Sequence, residues 1–528
     1  MSSFLANPQF LAILAEQKYL AVPKASTASG VWAAIAVVLM LLVSLSIGIW
    51  ARRQWATFDE YMVGHRTFGP VATGAAVAAA YLSGWAYCGS AGVVYKVGWS
   101  GMWFAGVFTL VGIMPCIWFT ARRTRELSAT LGATTLPELI GRRFESKAVQ
   151  TIVGLSMLFF LTLYSIGQLK AAGATWYVVT GFPIWICLLL AVFITWLYMM
   201  LGGYTSTQMA MAFQGAFLGA VGLVLGVWAM IKIGGPAALN AKLAAQNPAL
   251  VKLIRPELPH VGKLALFSTY SGIIAAPVIF FTMAIGFPHN VSRFLGMKKL
   301  TSRDFWILCI SAFCVAGIPI MIDCGWNGNL SRALFGPQLL KIKPWGADLA
   351  DPMLAWGVGG IPLVSFYTAA LMAAALSTLS AMVFIMSGNI VRDLIKLWWP
   401  QTSDKAAIAT LRVLFAVFLL IPFVFTYLKP PPLLAIFMGF AAIGLGATYF
   451  FVTAISYYWK GATKWGVIAC VVYGTIGTGY TAIQVAHKKI GMGTMEWYML
   501  AGCAICYFVG SWITRKPSEE TLAKCFPE

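Results

Sequence analysis

Apolar stretches of about 20 residues, each long enough to cross the hydrocarbon core of a bilayer, recur along nearly the whole chain. That recurrence decides the fold class before any motif is read. In lipid every backbone N–H and C=O must find its partner within protein, which leaves the helix as the spanning element for runs of this length. We read about thirteen such helices by run length. The bulk numbers agree, because 528 residues at 60% hydrophobic and 10% charged, with a mean hydropathy of +0.80, lie outside the range of soluble domains. The sequence therefore predicts an all-α polytopic membrane protein.

A formal charge of +20 invites a nucleic-acid partner, but the Lys and Arg residues are dispersed among short connections rather than gathered into one basic domain. If the leading span, Val31 to Trp50, runs from outside to inside, "ARRQWATFDEYMVGHR", "ARRTRELSATLGATTLPELIGRRFESK" and "RFLGMKKLTSR" all fall in the cytoplasm. The count is then roughly 22 basic residues inside against roughly 15 outside, the sense of the positive-inside rule. The amino terminus is expected outside, the carboxyl terminus inside, and no nucleic-acid role is implied. The first 30 residues do not follow the order of a signal peptide and are expected to stay as an extracytoplasmic segment. Residues 515–528 are expected as a cytoplasmic tail, with 31–514 as one transmembrane domain.

After the leading span, helices are predicted at about 68–94, 101–120, 148–178, 184–202 and 206–231, then at about 264–288, 305–325, 354–390, 406–427 and 432–458. Two more, about 464–485 and 495–514, complete the set. The two central groups, about 68–231 and 264–458, start from opposite sides of the membrane and so permit an inverted repeat. In such folds the first helix of each repeat is broken. Gly84, Gly89 and Gly92 in "YLSGWAYCGSAG", and Gly272 and Pro277 in "TYSGIIAAPVIFF", are candidate breakers, although close packing is an ordinary reason for Gly in membrane helices. The connections 232–263 and 326–353 are the longest external ones and suit short gating or interfacial helices.

Catalytic chemistry is missing from the pattern. The 17 acids read as loop or helix-end residues, so no paired carboxylates are expected at membrane depth, and Asp323 in "MIDCGW" is placed near the outer interface. His65, His260 and His487 look loop-bound, and His289 lies in "GFPHNVSRF" at a cytoplasmic helix end. HExxH, a Walker loop, GxGxxG and a nucleophile elbow are all absent, so the chain is not expected to be an enzyme. Gly202 and Gly203 read as a tight cytoplasmic turn, and Cys503 and Cys506 as small core residues rather than a metal or redox pair. Lys170 is either a snorkelling lysine or an attractor for an anion, and it points away from the face shared by Tyr164 and Gln168. In "AAALSTLSAM" three hydroxyls, Ser377, Thr378 and Ser380, crowd one apolar helix, where back-bonding to the helix is the plainest role for any one of them.

Taken together, "AAYLSGWAYCGSAGVVYKVGW", "TWLYMMLGGYTSTQMAMAFQG", "GFPHNVSRFLG", "AALMAAALSTLSAMVFIMSGNIVRDL" and "YLKPPPLLAIFMGFAAIGLGA" resemble the sodium:solute symporter family, and more closely its pantothenate and monocarboxylate branch. The resemblance runs over about residues 30 to 510. It implies a LeuT-type fold of two inverted five-helix repeats. It also implies a sodium site formed by the carbonyls of Ala79, Leu82 and Ala374 and the hydroxyls of Ser377 and Thr378, leaving Ser380 to packing. Oxygen donors of this kind suit a hard cation. The implied substrate cavity is lined by Tyr81, Ser83, Gly84, Trp85, Tyr164, Gln168 and Phe280, and Ala86, where the sugar branch has a polar contact, argues against a sugar. Two positions depart from the family: Met211 stands where an acid is usual, and Thr205 where an arginine is usual.

The expected function is secondary active transport, coupled to a cation, sodium, of a small organic acid such as a monocarboxylate or a pantothenate-like solute, by alternating access. No other cofactor and no obligate protein partner is expected, and the setting is a bacterial cytoplasmic membrane. Two alternatives stand beside it. With Met211 neutral, a transporter of the same fold driven by protons or uncoupled is one, and a transporter-like sensor or complex subunit is the other.

Overall fold

The computed structural model of the chain describes residues 19–50, 57–105, 109–200, 204–431 and 434–527. Gly202 and Gly203 of the predicted turn, and most of the amino-terminal segment, lie outside the described residues. Among those described, eight helices are long and apolar enough to cross a membrane: α1 (Thr27–Trp50), α5 (Lys147–Thr180), α7 (Tyr204–Ile233), α10 (Ser302–Phe335), α11 (Gly346–Trp398), α12 (Asp404–Leu428), α13 (Met438–Tyr458) and α14 (Lys464–Ala486). Two bent pairs raise the number to ten, α2 (Pro70–Tyr81) with α3 (Trp85–Phe104) and α8 (Tyr270–Gly286) with α9 (Pro288–Phe294). The remaining predicted positions are filled by α4 (109–131), α6 (Ile184–Leu197) and α15 (Met492–Trp512). The LeuT-type arrangement follows, with α2–α7 as the first repeat and α8–α13 as the second.

Side-chain caps set the helix starts. Ser146, Thr269, Ser403 and Thr463 each accept a backbone N–H of the first turn of α5, α8, α12 and α14, and Thr301 with Asp304 closes a capping box on α10. Burial then sorts the helices by position. In α11, 94% of the most apolar window is enclosed by protein, against 28% in α1 and α12. Thus α11 is the central helix, whereas α1 and α12 present their apolar surfaces to lipid.

Both repeats open with a 44° bend, as the sequence predicts, but the second break is not where it was placed. Pro277 sits inside α8, which stays helical. The chain breaks at Phe287 (φ −66°, ψ 113°), because the ring of Pro288 drives the preceding residue out of the helical region. The predicted external loop 326–353 is largely helical too: α10 continues to Phe335 and α11 begins at Gly346. Gly360, at φ +62°, divides α11 into a short outer limb and a long inner limb, a conformation that costs glycine little.

Buried charge corrects the sequence reading most. Lys170 neither snorkels nor waits for an anion: fully buried, its Nζ lies 2.5 Å from Asp348 Oδ2 on the outer limb of α11 and 2.6 Å from the carbonyl of Pro431. Asp323 is not interfacial but fully buried in α10, close to the equally buried Asp351. Carboxylates therefore do pair inside the protein, because the chain between α10 and α11 folds back in as helix. His65, His260 and His487 are exposed, as expected.

At the face carrying the basic loops, the tail folds back on the domain. The terminal helix Glu519–Cys525 rests against α4, with Arg123 Nη2 donating to Cys525 O at 3.0 Å and the Arg143 guanidinium 5.1 Å from the Phe526 ring centre. Hydroxyls of Ser518 and Thr521 donate to Glu145, which holds its carboxyl below the usual range.

Lys170→Met removes the ammonium that the buried Asp348 carboxylate faces. Thermal unfolding in detergent is expected to show a loss of about 3–5 kcal/mol, with much of it recovered by adding Asp348→Asn. Glu145 sets a pH dependence for the tail. Its lowered value means that docking is complete above the ordinary glutamate range and is lost as pH falls through that lowered value. Glu145→Gln should therefore speed tryptic cleavage at the exposed Arg515 at neutral pH, while acidification should open the same tail of the unaltered chain to pepsin.

Candidate functional site

The site begins where α2 ends. Leu82 leaves the helix at φ −72° and ψ 69°, so the last carbonyls of α2 turn out of the helical ladder, and the chain re-enters at Gly84 through the π turn Trp85–Gly89. A break at this depth survives only when protein encloses it. Here α5 does so: Gln168 Oε1 accepts the Gly84 N–H at 2.9 Å, and a Cβ on Gly84 would stand 2.3 Å from that of Ala171. Glycine at 84 is thus a requirement of close approach.

The inner limb of α11 lies against this break. Ser377 Oγ donates to Ala374 O at 2.9 Å and lies 3.4 Å from Ala79 O, which brings three of the five sequence-predicted ion ligands together. The fourth, Thr378, is fully buried and its Oγ1 has no partner among the described residues. Leu82, the fifth, is the break residue itself. Ser380 bonds back to Ser377 O at 3.2 Å, the packing role its position suggested. Ends of helices, buried carbonyls and hydroxyls form a neutral oxygen-rich corner at the negative pole of α2.

The predicted cavity residues separate into two groups. Trp85 and Phe280 face each other at 5.1 Å between ring centres, with Phe104 at 5.6 Å and 5.0 Å from them, which makes an aromatic wall. Ser83, Gly84, Tyr164 and Gln168 make a polar strip beside it: Tyr164 hydrogen-bonds with Ser83, and Gln168 Nε2 is buried without a partner. Tyr81 belongs to neither group, since its hydroxyl donates to Ala284 O at 3.3 Å and faces Cys116 and Asn290.

Sequence reasoning missed Phe104, which carries no polar signature, and misplaced His289. That ring is buried, 4.7 Å from Phe287 and 6.1 Å from Tyr164, because the short α9 folds into the protein rather than ending at its surface. His289 also lines a cavity of about 50 Å³ that reaches the basic-loop face, together with Thr134, Gln208, Met211, Arg293 and Asn389. Met211 packs against Ala79 and Ala381, and its sulfur lies 3.6 Å from Arg293 Nη1, which donates to Gln208 Oε1 at 2.5 Å. Among the described residues no carboxylate lines this cavity.

Comparison with known proteins agrees with this architecture. The chain is 22% identical to an osmoregulated proline transporter of Bacillus subtilis, over 91% of this chain and 94% of that protein. It is 27% identical to a sodium/proline symporter of Staphylococcus aureus, over 84% of each. Its fold matches a substrate-bound, outward-open sodium-coupled sialic acid symporter with a TM-score of 0.71 at 16% identity, covering 94% of this chain and 99% of the other. The sequence model of the sodium:solute symporter family matches residues 61–474, and the protein is a transporter that belongs to this family.

Proposed function

We propose that the protein couples sodium entry to the uptake of a small organic acid. The observation that carries the reading is the convergence of Ala79 O, Ala374 O and Ser377 Oγ at the break between α2 and α3, with the hydroxyl of the next residue, Thr378, buried and without a partner among the described residues. With Leu82 O these would supply about five oxygens to a hard monovalent cation, by analogy with other hard cations. Sodium there ties α2 to α11 and orders the broken helix on which the solute sits, so ion and solute stabilise the same state.

The solute half rests on Ser83, Gly84, Trp85, Tyr164, Gln168 and Phe280, with Tyr81 turned away toward Ala284 O. An acid group fits at the positive pole of α3 beside Gln168, whose Oε1 accepts the Gly84 N–H and whose Nε2 is left to donate, with the apolar part of the solute on Trp85 and Phe280. Proline and sialic acid, named in the relatives, both carry a carboxylate, which supports an acid; a monocarboxylate or pantothenate-like solute is our choice within that class. By loop charge the basic-loop face is cytoplasmic, with the amino terminus outside and the carboxyl terminus inside a bacterial cytoplasmic membrane. The cavity lined by His289, Met211 and Arg293 then opens inward. With Met211 and Arg293 on its wall, sodium meets no carboxylate on the way out, so release is expected to be fast.

The test uses the full chain, purified and reconstituted, with thermal-shift screening of short carboxylates, pantothenate, proline and sugars with and without sodium. Sodium is expected to strengthen the shift given by an acid and to leave sugars inert; uptake that is full without sodium overturns the coupling. Ser377→Ala with Thr378→Ala should raise the sodium concentration for half-maximal uptake at least tenfold, about 1.4 kcal/mol of lost affinity. Gly84→Ala should lower uptake at unchanged sodium affinity for the shift, because the new methyl pushes α3 off Ala171, and Gln168→Ala should weaken solute binding more than sodium binding.

A further inference from the structure

A second polar cluster, distinct from the sodium corner, joins four stretches of chain on the side away from the basic loops. Tyr87 of α3, Asp323 and Asn327 of α10, Asp351 of the outer limb of α11 and Tyr367 of its inner limb are all fully buried. Asn327 Nδ2 donates to Asp323 Oδ1 at 2.8 Å, and the Tyr367 hydroxyl donates to Asp351 Oδ2 at 2.5 Å. Asn327 also reaches Asp351, the Tyr87 hydroxyl faces Asp323, and the two tyrosine rings are 6.3 Å apart.

The cluster lacks positive charge. Lys170 of α5, the nearest cation, is engaged with Asp348 and Pro431, and among the described residues no lysine or arginine forms an ion pair with Asp323 or Asp351. The other groups facing in are Cys88 and Ser90 from α3 and Asp348 from α11, none of which brings a positive charge. From α7 come two glycines without charge: an added Cβ would lie 2.3 Å from Asp323 Oδ2 at Gly222 and 3.1 Å from Asn327 Oδ1 at Gly226. Donors are short as well. Asp323 Oδ2, Asp351 Oδ1 and Asn327 Oδ1 accept no hydrogen bond, although each is sealed from water. The hydroxyls of Ser331 and Ser90, one turn from Asn327 and from Tyr87 on the same helix faces, are also buried without partners. Two bare carboxylates in such a place are not tolerated without a compensating charge.

We propose that Asp323 and Asp351 form a proton-binding dyad, which holds one proton between them while this face of the protein is closed. Two carboxylates sharing a low-dielectric site take up one proton and pass from a joint charge of −2 to −1. A proton suits this site because it needs no coordination space, and α7 packs closely on Asp323 Oδ2 at Gly222. Asp323 and Asp351 sit on different elements, and Gly360 hinges the outer limb of α11. Opening this face separates the two acids into water, where both ionise, and closing it takes the proton back. Closure of this face is thereby linked to proton uptake, whatever ion occupies the Ser377 corner.

Infrared spectroscopy of the purified full chain in sodium-free buffer tests the dyad. At neutral pH a protonated-carboxyl C=O band is expected that shifts when aspartate, but not glutamate, carries a ¹³C-labelled side chain. The glutamate label accounts separately for the buried Glu496, and all variants are made on an Asp393→Asn background to remove the other buried aspartate with an unpaired oxygen. Asp323→Asn and Asp351→Asn should each remove that band. Tyr367→Phe, which keeps the ring and only withdraws the donor from Asp351, should move its frequency without abolishing it. Absence of an aspartate-derived band in the Asp393→Asn background overturns the proposal. So does a band unchanged in Tyr367→Phe, or one that sodium chloride converts to carboxylate at constant pH.

Discussion

Every feature of this protein that bears on transport depends on one constraint: a helix interrupted at membrane depth must have its exposed backbone groups answered by neighbouring protein. Between Tyr81 and Trp85 the α-helical ladder lapses, and the answer comes from α5, which supplies Gln168 to the Gly84 N–H and the small Ala171 that lets the break approach. The same gap gives α2 a carbonyl-rich end and α3 an amide-rich beginning, two poles a few residues apart. A cation and an acid are matched to those poles by chemistry alone. The hydroxyls of α11 complete the first, and the aromatic wall of Trp85, Phe280 and Phe104 bounds the second.

Charge is arranged around this neutral centre rather than in it. Lys170 and Asp348 form a fully buried ion pair that joins α5 to the outer limb of α11, and the Asp323–Asp351 cluster joins that limb to α10 and α3. Buried ion pairs add little net stability relative to apolar packing, but they penalise any arrangement that separates them without water. Contacts of this type suit a face that alternates between two discrete states. On the opposite face the cavity wall carries Arg293, Gln208 and the thioether of Met211, a lining without acids that offers an ion no lasting hold.

How much of this was legible beforehand depends on how local the signal was. Helix positions came from run length, and all the expected spans have counterparts. The first break was legible from glycines in "YLSGWAYCGSAG", whereas the Ser377/Thr378 pair was singled out by the family resemblance rather than by its residues alone. The second break was misassigned to Gly272 and Pro277: α8 runs unbroken through Pro277, whereas Pro288 dictates the backbone of Phe287 and ends the helix there. Lys170 and Asp323 were misread for one shared reason: their partners lie far along the chain, and only packing brings Asp348 to the first and Asp351 to the second.

The sequence by itself determined the class, since runs of apolar residues long enough to span lipid permit only helices, and it determined which segments carry breakers and hydroxyls. Tertiary structure alone decided which carbonyl meets which hydroxyl, which acids are enclosed together, and that Met211 answers to a guanidinium. The reason is physical. Hydrophobic run length is written in neighbouring residues, whereas a coordination shell or a buried charge pair is made by side chains from helices hundreds of residues apart, and its cost is set by the water that packing excludes.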